Sequence, residues 1–436
     1  MFCNSLARFS THTPKTYDVV ISGGGMIGST MALALGKNPF FKDCRIALVE
    51  ANPKEVAPRS LHNDGYSNRV SAINPSTKDL FDELGVWKRF HRFQAVHDMK
   101  VWGVYTDDTI NYRDESGYKK NIAYIVENDS IVASVTQELK VLDNVDIIYG
   151  AKINTIDLRS SPSRIILNNG EVFHSNLLIG ADGANSEVRK VMNVQNISYT
   201  YDQTAVVATL KILEQENSTA WQRFLPTGPI ALLPLNNCFS SLVWSTSHEN
   251  AKNLLSLPSA SFVDAVNDAF NSKLIQDDSV TSLTNILRTV LEPSKLQNEM
   301  PHVCGVVETS RASFPLGFGH ASNYVKPNIA LIGDAAHKVH PLAGQGVNLG
   351  FRDVHHLTDA LQNGVQCGRQ IGDYSDLKTY EQKSQCSNLP IMLAIDMIYR
   401  VYSSQVGLIR ALGSVGIQLT EGLTPIKNIM RRVASS

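Results

Sequence analysis

No stretch of this chain reaches the roughly 18 uncharged apolar residues of a membrane span. The expectation is a soluble protein or one bound to a membrane surface. Cysteine is sparse and scattered: Cys3, Cys44, Cys238, Cys304, Cys367 and Cys386 form no Cys-x-x-Cys pair. Neither a zinc site nor a disulfide framework is indicated, and a reducing compartment fits best. Excess charge of either sign is missing too. The formal net charge of -1 argues against nucleic acid as the main partner. Acids are absent from the first seventeen residues, which instead carry Arg8, Lys15, His12 and several Ser and Thr around Phe2, Leu6 and Phe9. Without the continuous apolar core of a secretory signal, this composition fits a mitochondrial presequence over residues 1–16. A plain unstructured leader is the alternative. What remains is an ordinary globular composition, 43% hydrophobic and 19% charged over 436 residues, enough for one large domain or two ordinary ones.

The most informative local pattern begins at Tyr17. YDVVIS predicts a short buried strand, GGGMIG a glycine loop, Met26 to about Gly36 a helix, and RIALVE (Arg45 to Glu50) a second strand ending in an acid. This is the dinucleotide fingerprint. In it Gly23 makes the tight turn, Gly25 lets a pyrophosphate approach the backbone, and Gly28 lets the helix lie close to the sheet. Glu50 accepts from a ribose hydroxyl, and its charge would repel a 2′-phosphate.

A second pattern lies far downstream, in NIALIGDAAHKVHPLAGQGVNLGFRD, Asn328 to Asp353. Ile329 to Ile332 predicts a strand. Gly333 turns the chain at its end, leaving the Asp334 carboxylate free at the strand tip. Pro341, Gly344 and Gly346 then form a loop whose small residues admit a ligand to the backbone N–H groups. A helix follows from about Gln345, its first N–H groups pointing back at that ligand. An acceptor for sugar hydroxyls beside a nest of donors suits the ribityl chain and pyrophosphate of FAD. Between the two patterns, Leu177 to Gly180 reads as a strand running into ADGANSEVR. Asp182 and Gly183 sit at its end, ahead of another helix.

Other segments read more coarsely. Arg69 opens a stretch predicted to be helical as far as Trp87, with a guanidinium placed to reach a phosphate or flavin edge, or simply solvated. Val101 to Ile110 reads as a strand leaving the nucleotide domain. Residues 201–245 alternate like an antiparallel sheet, in which Trp221, Phe224, Leu232, Leu233 and Trp244 either wall a hydrophobic pocket or form sheet core. His248 to Met300 reads as a helical insertion, with a helix start at Ser261 and Asp264 and a second apolar face at Leu283, Ile286, Leu287 and Val290. The end of the chain is helical, with Ile391, Ile395, Ile398 and Tyr402 on one face. Its basic tail (Arg410, Lys427, Arg431, Arg432) packs on the nucleotide domain or lies on a membrane surface.

GGGMIG, ADGANSEVR and LIGDAAHKVHPLAGQGVNLG, in that order, resemble the single-component flavin aromatic monooxygenases. GDAAHKVHPLAGQGVNLGFRD, WQRFLPTGPIALLPL and RVSAINPSTKDLF are similar to the UbiH family of ubiquinone-biosynthesis hydroxylases. The resemblance spans nearly the whole chain, and the leader and helical insertion look like its mitochondrial branch. It implies an α/β aromatic hydroxylase-like fold: a Rossmann-like FAD-binding domain (17–100, 122–200 and 316–365), an inserted antiparallel β-sheet substrate domain (101–121 and 201–315, with the helical insertion at 249–300), and C-terminal helices (366–436). Carried over by residue, it implies that Gly23, Gly25, Gly28 and Glu50 hold the ADP half of FAD, and that Arg69 touches the cofactor. Asp182 and Gly183 would serve both FAD and a reducing nicotinamide. Asp334 would bind the ribityl chain, with Pro341, Gly344, Gln345, Gly346 and Val347 by the isoalloxazine. His337 and His340 would shape the loop.

The implied activity is hydroxylation of a polyprenyl phenol, at ring C5, through a flavin C4a-hydroperoxide, with O2 as co-substrate. The implied electron donor is NAD(P)H or a ferredoxin with its reductase. The implied setting is a ubiquinone-biosynthesis protein complex on the matrix face of the mitochondrial inner membrane, as a peripheral protein. Metal chemistry is not expected, since the di-iron class of ubiquinone hydroxylases needs Glu-x-x-His pairs on helices and no predicted helix carries one. Catalytic side chains, including a base for the phenol, stay unassigned. Two alternatives are an FAD-dependent reductase or dehydrogenase on the same scaffold, and a non-catalytic protein that binds lipidated partners. Gly25, Glu50 and Asp334 argue against the second, since a chain without flavin has no use for all three.

Overall fold

The computed structural model describes residues 13–54, 65–104, 109–113, 121–157, 160, 162–213, 215–272 and 300–402. Residues 1–12 of the expected leader, the apolar face at 283–290 and the basic tail lie outside them, while Lys15 and Thr16, counted in that leader, already belong to the first strand.

Lys15–Ser22 is the central strand. Its Val19, Val20 and Ile21 are apolar without alternation and are fully buried, as a strand covered on both faces must be. Parallel neighbours flank it: Ile46–Glu50 and then Val145–Tyr149 on one side, Val172–Gly180 and then Ile329–Leu331 on the other. A hairpin around Asn169-Gly170 extends the sheet antiparallel through Ser163–Leu167. The helix Met26–Lys37 lies on this sheet. It packs against the helices Asn128–Leu139 and Gly346–Gln366.

The second sheet is nine-stranded and nearly all antiparallel, with one parallel pair between Asp98–Gly103 and Thr219–Leu225. Its longest strand, Asn196–Ile212, pairs with Phe239–Ser247 on one side and Ala312–Ala321 on the other. Alternation gives it two different faces. On the back, Trp102, Trp221, Leu232 and Trp244 form core under the helices His248–Ser256 and Ser259–Asn271. On the front, Val101, Ala205 and Phe224 meet Val339, Leu342 and the long helix Tyr374–Tyr402. The five apolar residues singled out in the sequence therefore divide. Trp221, Leu232 and Trp244 are back-face core, while Phe224 and Leu233 face forward.

A small three-stranded sheet (Val70–Ile73, Ala123–Glu127, Gln94–Val96) closes over one end of that front face through Val96, Ile125 and Ala72, which cluster with Ala220 and Leu233.

Three local readings are corrected. Arg69 leads into the strand Val70–Ile73, and the helix starts only at Pro75. β-branched Val70 and Ile73 favour the strand, and Pro75 holds Asn74 extended, where its side chain caps Thr77 N–H. Val101 to Ile110 is two antiparallel strands, Asp98–Gly103 and Thr109–Arg113. The helix expected from Ser261 begins at Ser259, just after Pro258.

Candidate dinucleotide site

The three glycines of the first loop turn out to have different reasons to be glycine. Gly23 has φ +104°, and a Cβ there would stand 2.5 Å from the Ala181 carbonyl oxygen. A Cβ on Gly28 would fall 1.9 Å from the Gly23 oxygen. Both are demanded by the chain's own packing. Gly25 is not: its φ of -70° suits any residue, and a Cβ would meet nothing within 4 Å. It is an exposed, bare edge at the N-terminus of the helix Met26–Lys37. Glu50 reaches into the same loop. Its Oε2 accepts from Gly24 N–H at 2.6 Å and its Oε1 from Asn52 N–H at 2.7 Å. A carboxylate has about four acceptor positions, so this leaves acceptor capacity for a further donor.

The Gly-Asp turn meets this loop at Ile27. Gly333, at φ +59°, has Ile27 Cγ1 3.2 Å from where its Cβ would be, and Gly350 of the helix Gly346–Gln366 has Ile27 Cδ1 at 2.7 Å. Gly333 N–H donates to Asp353 Oδ2 at 2.9 Å. His337 Nε2 lies 2.6 Å from the same oxygen, and Asn388 Nδ2 donates to Asp353 Oδ1 at 2.9 Å. Burial pushes His337 down, but the Asp353 carboxylate outweighs it and leaves the imidazole above its ordinary value. Asp334 points elsewhere. Its carboxylate makes no hydrogen bond among the described residues. It keeps exposed surface, yet the surrounding protein is dense enough to raise its pKa, against the pull of His337 and Lys338. Asp334 is thus an exposed carboxylate in crowded surroundings, with no protein partner among the described residues.

The loop Pro341–Gly344 sits against the small sheet. Gly344, at φ +60°, would place a Cβ 3.2 Å from the Ala72 methyl. Asn348 fixes this contact by donating to the carbonyls of Ala72 at 2.8 Å and Gly344 at 3.2 Å, while its oxygen accepts from Asn74 N–H and Thr77 Oγ1. Gln345 is buried, and Val347, on the first turn of Gly346–Gln366, packs against the core of the first sheet. One residue before the loop, His340 is fully buried between Tyr201 and Tyr399, its Nε2 3.1 Å from Gln203 Oε1. Gln203 gives its own amide N–H to the Thr227 carbonyl, so His340 Nε2 carries the hydrogen. Burial lowers the His340 pKa to about 4.

Asp182 uses one oxygen structurally: Oδ2 accepts from Glu187 and Val188 N–H, at 2.9 and 3.3 Å, at the start of the helix Glu187–Met192. Its Oδ1 is buried without a hydrogen-bond partner. Gly183, at φ +82°, has nothing within 4 Å of a would-be Cβ. Arg189 ties this turn to the Gly-Asp turn, donating to the Ala335 carbonyl at 2.7 Å and to that of Ala184. Arg69 is exposed, and its guanidinium has no partner among the described residues; its carbonyl accepts from Asn128 N–H at 3.0 Å.

Gly23, Gly25, Gly28, Glu50, Asp182, Gly183 and Asp334 thus gather at the C-terminal ends of neighbouring parallel strands of the first sheet. The Gly344 loop and Arg69 lie toward the second. Sequence reading missed Arg189, Asn348, Asp353 and Asn388. For Asn348 and Asp353 a signal exists, since both are polar positions within the apolar helix run GVNLGFRD. Asn388 has no local signal. The bare edge at Gly25, the unpaired Asp334 carboxylate and the orphaned Asp182 Oδ1 are features that a bound polyol pyrophosphate would satisfy.

A parallel nucleotide-binding sheet joined to a large antiparallel sheet with C-terminal helices defines the aromatic hydroxylase-like flavoprotein fold. The family model described as "FAD binding domain" matches residues 16–286 and 305–386. Among solved structures, p-nitrophenol 4-monooxygenase PnpA of Pseudomonas putida DLL-E4 superposes with TM-score 0.70 at 17% identity, over 97% of this chain and 99% of that one. The probable FAD-dependent monooxygenase pqsL of Pseudomonas aeruginosa gives TM-score 0.68 at 20% identity, over 92% and 99%. These share the fold. Sequence relatives are far closer. Ubiquinone biosynthesis monooxygenase COQ6, mitochondrial, of Drosophila melanogaster is 44% identical over 98% of this chain and 91% of its own length. That of Homo sapiens is 43% identical over 97% and 93%. The chain belongs to the FAD-binding family of mitochondrial ubiquinone biosynthesis monooxygenases.

Proposed function

We propose that this protein is the FAD-dependent monooxygenase that hydroxylates the aromatic ring of a polyprenyl phenol in ubiquinone biosynthesis, with ring C5 as the position. The observation that carries the reading is the open edge at Gly25 combined with the unpaired Asp334 carboxylate, joined through Ile27. Gly25 and the helix start behind it would hold the pyrophosphate, Glu50 a ribose, Asp334 the ribityl chain, and Gly183 with Asp182 the cofactor's outer side. Pro341, Gly344, Gln345, Gly346 and Val347 would border the flavin ring, with Arg69 across from them.

When bound, FAD with a reductant and O2 supplies the oxygen-transfer chemistry. The chain's own part is placement and exclusion of water. On the front face of the second sheet, Leu342, Phe224 and the helix Tyr374–Tyr402 pack together beside the Gly344 loop, and this apolar cluster would keep water from the flavin ring.

A polyprenyl tail stays in the bilayer, at about 0.8 kcal/mol per buried CH₂, while no described helix is long and apolar enough to cross a membrane. Peripheral attachment at the matrix face of the inner membrane accounts for both. Exposed Leu393 and Met397, one turn apart on the last described helix, supply apolar surface for such attachment. The reductant is NAD(P)H or a ferredoxin with its reductase, and the helical insertion offers a docking element for a biosynthetic complex.

The test is Asp334→Ala. FAD bound per chain should fall at least tenfold with the fold intact by circular dichroism, and hydroxylated product should vanish. Full flavin content with full activity would refute the assignment.

A further inference from the structure

The front face of the second sheet can be read row by row from its register. Val207 lies beside Val243, Val243 beside Ala231, Ala231 beside Gln222, and Gln222 beside Val101, which pairs with Ile110. The middle of this row, from Val207 to Gln222, runs between two packed clusters, one of which takes in Val101 and Ile110. On one side Phe224, Ala205 and Tyr201 meet Leu342 and the long helix; on the other Ala220 and Leu233 meet Ala72 of the small sheet. The Gly344 loop touches both, through Leu342 and through Ala72. The row is therefore the strip of sheet lying between the two ends of that loop.

Two observations mark it as a lining. Val243 and Ala231 stand in the middle of a nine-stranded sheet, yet both keep partial exposure, while Ala205, Phe224 and Ala220 beside them are buried. Space therefore opens over the centre of the row. Its single polar member, Gln222, is only 7% exposed, and its amide makes no hydrogen bond among the described residues. Most polar side chains in so enclosed a place have a protein partner, and this one has none among those residues. A sheet that needed only packing would carry an apolar residue there.

We propose that Gln222 is the residue that orients the aromatic substrate, its amide hydrogen-bonding an oxygen substituent of the ring while Val207, Val243 and Ala231 hold the ring's apolar surface. This rests on the flavin monooxygenase reading above and adds how one ring edge is selected. An amide both donates and accepts, so it can serve a phenol, its anion or a methoxy oxygen, the anion most strongly. It positions the ring and takes no proton.

The test compares wild type with Gln222→Met, in FAD-loaded and FAD-free protein. The probes are a short-chain prenyl phenol and the matching prenyl benzene without ring oxygen. Binding is read from the flavin visible spectrum in the first form and from tryptophan emission in the second. Wild type is expected to prefer the phenol by about tenfold, the worth of one hydrogen bond, and Q222M to bind both alike with FAD content and melting temperature unchanged. Q222M that still prefers the phenol tenfold overturns the proposal. If Q222M does not fold, Gln222→Glu decides. Its phenol binding should weaken as pH rises through the phenol's ionisation, because a carboxylate repels the phenolate, and behaviour identical to wild type overturns the proposal. A wild type that takes up no FAD and binds neither probe overturns the flavin reading as well. A wild type that hydroxylates normally beside a Q222M that keeps the wild-type preference for the phenol overturns only the role of Gln222.

Discussion

Asp353 and His337 form a fully buried pair, Oδ2 to Nε2 at 2.6 Å, and the same carboxylate oxygen holds the Gly333 N–H. Asn388, from the last described helix, completes the network at Asp353 Oδ1. The turn that aims Asp334 is thus fixed from below by groups on two different helices. Removing one partner of a buried charged pair strands the other, at about 3–5 kcal/mol. Asp353→Ala should lower stability by that much in denaturant titration, and FAD retention should fall although Asp353 does not border the proposed cofactor. Asn388→Ala, which removes one neutral donor, should cost about 1 kcal/mol.

The pair also fixes a pH dependence. His337 is raised above 6.5 in the folded protein by Asp353, so between that value and its folded pKa the native state binds more protons than the unfolded one. Its contribution is complete below pH 6.5 and declines as pH rises through the folded value. Stability measured from pH 6 upward should fall in wild type, and His337→Gln should flatten that slope.

His340 works in the opposite direction. Burial depresses it from 6.5 to about 4, so the unfolded chain binds the extra proton in that window. Stability should drop as pH falls from about 6.5 to 4, by on the order of 3 kcal/mol if His340 acts alone. His340→Asn, which does not titrate, should remove this part of the acid-side loss in urea titrations at pH 4.5 and 7.

The glycines of the first loop should separate by experiment. Gly28→Ala places a methyl carbon 1.9 Å from a backbone oxygen and should yield little folded protein. Gly25→Ala, with open space and an ordinary φ, should fold with a melting temperature within a few degrees of wild type. If the open edge receives a pyrophosphate, that same variant should lose most FAD affinity. A Gly25→Ala protein that reconstitutes normally would place the cofactor elsewhere.

Asp182 offers a finer separation. Its Oδ2 caps a helix, so Asp182→Ala should cost about 1 kcal/mol through the cap alone. Asp182→Asn keeps an acceptor for Glu187 N–H and should preserve stability. If the unpartnered Oδ1 serves the cofactor or its reductant, flavin content or reduction rate should change in Asp182→Asn even at full stability.

Much of this was written locally. Val19 to Ile21 without alternation means a strand buried on both faces, and Gly23, Gly28 and Glu50 at their spacing mean a strand–turn–helix–strand unit, because backbone sterics act over a few residues. Gly333 and Asp334 at a strand end are legible for the same reason. Locally ambiguous segments went the other way. Arg69 onward looked helical until the strand Ala123–Glu127 offered Val70–Ile73 an edge to pair with. Only the tertiary structure could sort Trp221 from Phe224 or Leu232 from Leu233, since alternation shows that neighbours face apart but not which face meets a helix and which a ligand. The same holds for Asn348, Asp353, Asn388 and Gln222. Each is a polar residue whose meaning lies in a partner, or in the lack of one, brought near from far along the chain.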